Sequence, residues 1–140
     1  MAHTLSADTR RRIGKHIAQL GADRDVATRA ELRLLRFGKK AVGQLLEIMS
    51  SDSPQVRFHA VYLLGKSGDP EVFPVIVRLV SDPDASVRYD AVMSLGYLGD
   101  PRAIPLLEET AKHREDPACV ASAACMALAT FGIEREPESN

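Results

Sequence analysis

Residues 56–74, VRFHAVYLLGKSGDPEVFP, and residues 87–105, VRYDAVMSLGYLGDPRAIP, are near-copies set 31 positions apart. A chain that writes one pattern twice builds one supersecondary unit twice, and no other feature limits its fold as strongly. Two weaker copies flank this pair. Val26, Ala30, Leu34 and Gly38 stand 30 positions before Val56, Ala60, Leu64 and Gly68, and Val120, Ala124, Leu128 and Gly132 stand 33 positions after Val87, Ala91, Leu95 and Gly99. The end units of a stacked array meet water on one side, so degraded outer copies are expected.

Within a unit the apolar period is helical. Val87, Ala91, Leu95 and Leu98 recur at the spacing of one helix face. Gly99 follows as a left-handed cap, and Asp100-Pro101 supplies the acceptor and the first-turn proline that open a new helix. Applied throughout, these signals predict eight helices, over roughly 7–20, 24–37, 39–51, 54–67, 70–81, 84–98, 101–114 and 117–131. No strand alternation is present. Connections of two to four residues make neighbouring helices antiparallel hairpins. The expectation is an all-α solenoid of four hairpins, over about 7–37, 39–67, 70–98 and 101–131, in one domain spanning 1–133. A polar tail, 134–140, is expected to fray. Packed helices at roughly 8–10 Å make such an array a curved slab on the order of 40 Å long.

Composition narrows the function classes. Hydrophobic residues form 45 % of the chain, enough for a continuous core, and no apolar run approaches the roughly 20 residues of a membrane span. The N-terminus lacks an apolar signal core, and Cys119 and Cys125 point to different faces of one predicted helix, so a reduced, cytoplasmic setting is expected. Net charge is −1 but uneven: residues 1–50 hold ten Lys/Arg against five Asp/Glu, a net of +5, and the remainder a net of −6.

The pattern VR-x-x-AV-x-x-LG-x-x-GDP-x-x-x-P resembles HEAT repeats, in particular the short bacterial type also found in phycobilisome-lyase-like proteins. The resemblance covers residues 24–132. It implies that Arg57 and Arg88 are structural, linking successive repeats, with Asp69 and Asp100 as their partners or as caps. The outer repeats carry Ala27 and Ala121 instead, so the ladder is confined to the middle. It also implies that the second helix of each hairpin lines a concave surface.

On those helices three columns face neither neighbouring repeat: Thr28, Phe58, Tyr89, Ser122; Leu32, Tyr62, Met93, Met126; and Arg36, Lys66, Tyr97, Thr130. All three tyrosines and one phenylalanine of the chain fall there. Rings and thioethers offer large, adaptable contact area, and binding hot spots favour Tyr and Arg. The expected function is non-enzymatic: a protein-binding scaffold that takes a partner protein or peptide on Phe58, Tyr62, Tyr89, Met93 and Tyr97, flanked by Lys66, Arg36 and His59. The competing reading is that the rings lie over the helix seam and finish the core. A fourth column holds Arg29, His59, Asp90 and Ala123, and an ordinary inter-repeat hydrogen bond between His59 and Asp90 is expected.

Two rival functions were weighed. Arg10, Arg11, Arg12, Lys15, Arg29, Arg33, Arg36, Lys39 and Lys40 give the first half a basic character. Nucleic-acid binding through it is the alternative, and a solvated basic face is the simpler account. An acidic partner, or a second copy meeting it through a terminal repeat, is a further option. Catalysis finds little support. Some HEAT-repeat hydroxylases hold iron through His-Glu pairs, but His3, His16, His59 and His113 are followed by Thr4, Ile17, Ala60 and Arg114. A phycobilin-lyase-like role has only Cys119 or Cys125 to use, and a metal site from these with His113 is disfavoured. No cofactor or metal is expected.

Overall fold

A computed structural model describes residues 4–135, so His3 and the tail beyond Arg135 lie outside the described residues. Among the described residues there are eight α-helices and no strand: α1 Ala7–Ile17, α2 Arg24–Leu35, α3 Val42–Glu47, α4 Pro54–Lys66, α5 Phe73–Leu79, α6 Ala85–Leu98, α7 Ile104–Thr110 and α8 Val120–Ala129. They form an α-solenoid in which α1/α2, α3/α4, α5/α6 and α7/α8 are the hairpins. The repeat columns become the core. Ala30, Ala60, Ala91 and Ala124 are all fully buried, as are Leu34, Leu64, Leu95 and Leu128.

Each boundary has a local cause. Ser6, Asp23, Ser53 and Asp84 accept from the amides of Thr9, Val26, Val56 and Val87, capping α1, α2, α4 and α6. Gly99 closes α6 at φ 70°, a conformation a side chain would strain. The first helices of the last three hairpins open as 3₁₀ turns, Gly38–Ala41, Pro70–Val72 and Pro101–Ala103. Pro74 and Pro105 lack the N–H that would carry an α-helical bond back into those turns, so each α-helix starts afresh after its turn. The first-layer helices α5 and α7 are therefore seven residues long each, against ten to fourteen in the second layer.

The second layer is drawn together by small residues. A Cβ on Gly65 would stand 2.6 Å from the Cβ of Ser94, and one on Gly96 would stand 2.9 Å from the Cα of Ala127. Across the same seams Ser94 Oγ donates to the Val61 carbonyl at 3.1 Å and Thr130 Oγ1 to the Gly96 carbonyl at 3.2 Å. Thus α4, α6 and α8 approach closely along their length, while α5 and α7 of the first layer stand apart. A stack compressed on one side bends toward it, so the second layer is the inside of the curve. At the first seam the matching residues are Leu35 and Leu63, and α2 stands off from α4.

An arginine ladder staples the middle repeats through Asp82 and Asp116, while Asp69 and Asp100 take the other role the resemblance implied for them, as caps. Arg57 donates from Nε and Nη2 to Asp82, at 2.9 and 3.0 Å, and Arg88 donates likewise to Asp116, at 3.0 and 2.9 Å. Asp69 and Asp100 are not on the ladder. They accept from the amides of Glu71 and Arg102 and open the two proline-led 3₁₀ turns, with Asp100 also paired to Arg102. The reason is reach. The arginines sit in the first turn of a second helix, beside the loop within the next hairpin, whereas Asp69 and Asp100 lie between hairpins. These fork pairs hold both guanidinium groups well above the usual arginine range, through the hydrogen bonds to Asp82 and Asp116. Asp116 also takes the Ala118 amide, so it cannot cap α8, and that helix begins late, after Cys119 at φ 57°. At the first seam, where Ala27 replaces arginine, Gln55 donates instead to the carbonyls of Leu20 and Ala22.

Two substitutions test this account. Gly65→Ala places a better helix former in α4 yet is expected to destabilise the protein by about 1–3 kcal/mol, because the new methyl meets the Ser94 backbone. Chemical denaturation measures the sign. Asp82→Ala leaves a half-buried guanidinium and the Asp84 amide unpaired, and is expected to cost about 1–3 kcal/mol. Asp52→Ala, at an exposed position of the corresponding loop one residue past the match to Asp82, is expected to cost less than about 0.5 kcal/mol.

Candidate functional site: the inner face of the second layer

The inside of the curve presents the three variable columns to solvent. Not one of Phe58, Tyr62, Tyr89 and Met93 is buried; each is half-buried, with its inner edge on the core. Leu32, Tyr97 and Met126 are 58 %, 38 % and 46 % exposed, which places on this face three of the four well-exposed large apolar side chains among the described residues. Lys66 and Arg36 are exposed beside them, and His59 is half-buried.

At the centre, Tyr62 of α4 meets Tyr97 of α6 edge to face, with centroids 5.9 Å apart. Lys66, one turn beyond Tyr62, arches over both rings, its Nζ 4.0 Å from the Tyr97 centroid and 5.8 Å from that of Tyr62. The ammonium is thereby held without a carboxylate. Burial raises both phenols above their ordinary range, helped at Tyr62 by the Glu31 and Asp90 carboxyls and at Tyr97 by that of Asp90, so both rings keep a neutral O–H able to orient a ligand. Phe58, nearer the start of α4, flanks a shallow cleft of about 290 Å³ with Pro54, Gln55, Asp84 and Ser86. Its ring meets His59 edge to face at 5.4 Å.

Beneath the tyrosines lies a polar cluster that sequence spacing described incompletely. His59 does not bond Asp90. Its Nδ1 pairs with Glu31 of α2, across the wide first seam. Glu31 fills the column held by Val61 and Val92 in the next two repeats, and a carboxylate in a core column was the available signal. Asp90 is 93 % buried, since only 7 % of its surface is exposed, and its Oδ2 has no hydrogen-bond partner. Burial is the main reason its carboxyl is pushed up to about 7, with the Glu31 charge adding to the shift and His59 opposing it.

The remaining sites separate. Among the described residues, no group of three or more His, Cys, Asp or Glu is placed to hold a metal ion. Cys119 is exposed, Cys125 is half-buried, and His113 lies 4.0 Å from Glu109 on the outer side of α7. No described helix is long and apolar enough to cross a membrane.

The raised carboxyl has a thermodynamic consequence. Folded Asp90 keeps its proton to about pH 7, whereas an unfolded aspartate releases it near 3.8. The contribution of this group is therefore fully present below about pH 4 and is lost as pH rises through 7, a loss of roughly 2–4 kcal/mol. Asp90→Asn, which keeps the shape without the charge, is expected to flatten that slope and to raise the melting temperature at pH 8 relative to the parent. Thermal melts of both proteins at pH 5 and pH 8 provide the comparison.

Comparison with known proteins agrees with this architecture. A family model described as HEAT repeats matches residues 42–129. Among solved structures, human deoxyhypusine hydroxylase in complex with glycerol superposes with a TM-score of 0.68 at 23 % identity, over 89 % of this chain and 45 % of the hydroxylase. The chain thus spans less than half the length of that enzyme. A search of curated proteins gave no match.

Proposed function

The chain belongs to the HEAT-repeat family, and on that premise we propose that it is a non-enzymatic interaction module that binds a partner protein or peptide on the inner face of its second layer. One observation carries the reading: Tyr62 and Tyr89, with Phe58 and Met93, lie on that face with one side packed on the core and the other open, and the third tyrosine, Tyr97, stands exposed against Tyr62. Rings braced from beneath lose little freedom when a partner covers them, which is the economy that makes Tyr a recurrent hot-spot residue. Lys66 caps the central pair and moves away on long rotatable bonds when a partner needs the rings. Arg36, His59 and Lys66 border the strip and orient the partner's polar groups.

The likeness to a hydroxylase supports the fold and carries no activity across to this chain. A protein ligand is the reading that uses the aromatic strip. Nucleic acid would engage the basic first repeat and leave the tyrosines beside the Glu31 carboxylate, which repels phosphate.

A photo-crosslinking residue at position 97 is expected to trap a partner from the native host, whereas the same residue at 109, on the exposed outer side of α7, is not. Tyr62→Ala combined with Tyr89→Ala is expected to reduce capture at least about tenfold while helicity by circular dichroism persists. Equal crosslinking from both positions, or undiminished capture by the double variant, would refute a docking role for this face.

A further inference from the structure

Among the described residues no helix packs on the outer side of the first repeat, and a column that is sealed in later repeats is exposed there. Arg33 occupies the column of Leu63, Ser94 and Ala127, all three buried, and is itself exposed. Around it, Arg12 and His16 of α1, Arg36 of α2, and Phe37 and Lys40 after it enclose an open concavity of about 530 Å³. The Arg12 guanidinium lies over the Phe37 ring at 5.6 Å, and the His16 ring leans on the same phenylalanine at 6.5 Å. A ring face steadies a guanidinium without occupying its N–H donors, which stay available for a ligand.

Four formal cations converge here without a counter-charge. Among the described residues, Arg12, Arg33, Arg36 and Lys40 make no ion pair, whereas Arg57, Arg88, Arg102 and Arg135 each hold a carboxylate. Crowded like charges repel, and a concave wall concentrates their field, so the cup attracts an anion of matching charge density. Peptide carboxylates arrive one per residue along an extended chain, too sparse for four cations in this volume. A nucleic-acid strand leaving the cup along the array would run into Glu31 and into residues 51–140, which carry a net of −6. A phosphoanhydride concentrates on the order of three negative charges in a small volume and offers planar oxygen pairs to guanidinium forks.

We propose that the cup formed by Arg12, Arg33, Arg36 and Lys40 around Phe37 binds a compact phosphoanhydride, a pyrophosphate or triphosphate group, free or carried on a small molecule. This site shares Arg36 with the border of the aromatic strip but none of its rings, and it stands whether or not a protein docks on the strip.

Calorimetric titration and thermal melts with sodium pyrophosphate, sodium tripolyphosphate and ATP, at constant ionic strength against chloride and sulfate, test the proposal. Tripolyphosphate and pyrophosphate are expected to bind and to raise the melting temperature where chloride at the same ionic strength does not. Tighter binding of ATP than of tripolyphosphate would assign the group to a nucleotide, and equal binding to the free anion; both support the site. Arg33→Gln with Arg36→Gln is expected to weaken binding at least about tenfold. Without ligand, this variant is expected to melt no lower than the parent, because repulsion is relieved. Lys40→Gln, in the exposed turn, is expected to weaken binding severalfold and serves if the double variant misfolds. Tyr62→Ala is expected to leave anion binding unchanged, which separates this site from protein docking. Binding of the double variant at parental strength would overturn the proposal. So would tighter binding of a single-stranded oligonucleotide or a polyglutamate peptide than of tripolyphosphate, or no binding beyond that of sulfate.

Discussion

The close approach of α4, α6 and α8 sets the rest of the molecule. It is possible only because Gly65 faces Ser94 and Gly96 faces Ala127, leaving no room for a second β-carbon at either contact. Close backbones shorten the second layer relative to the first, and that difference is the curvature. Curvature gives the second helices a concave front, and side chains pointing there have no packing partner within the chain. The aromatic strip is half-buried and half-open for this reason: its inner edges rest on the seam between close helices, and its outer edges face the inside of the bend.

Register is fixed by a different device. Apolar seams of alanine and leucine tolerate sliding, since one methyl resembles another. The forked bonds from Arg57 to Asp82 and from Arg88 to Asp116 do not, because each guanidinium must meet two carboxylate oxygens at once. Each carboxylate also takes a loop amide two residues on, from Asp84 or Ala118, so the ladder shapes the loops it binds. Where a cap residue follows at Asp84, the next helix starts promptly. Where Ala118 stands instead, α8 starts late and uncapped.

Much of this was legible in the sequence, and the gaps have physical causes. The near-copies located the hairpins and the core columns, because burial repeats with the period of the chain. Helix ends were less exact: proline at 74 and 105 breaks a helix internally, and spacing alone does not separate a 3₁₀ turn from the α-turn that follows. The ladder arginines were legible as a repeated Val-Arg pair, but Asp82 and Asp116 were not, since the loops that hold them differ in length between repeats. The strip was legible as a pattern of variation. The partner of His59 was missed because repeat alignment equates positions and assumes equal spacing between helices. That assumption fails at the first seam, where Leu35 and Leu63 replace the small pairs and open a gap that Glu31 enters.

The first seam thereby links the two unusual chemistries of the molecule. A wider gap between α2 and α4 admits a carboxylate and an imidazole where later seams admit only methyls, and the charge of Glu31 then discourages Asp90, one helix further on, from ionising. Among the described residues nothing seals these columns on the far side of α2, so Arg33 can be charged where Leu63 must be apolar. Helix α2 therefore turns an acidic edge toward the array and a basic edge away from it. Among the described residues the outer face of the first repeat escapes the packing rules that bind the later ones, and it carries charge rather than a neutral polar surface.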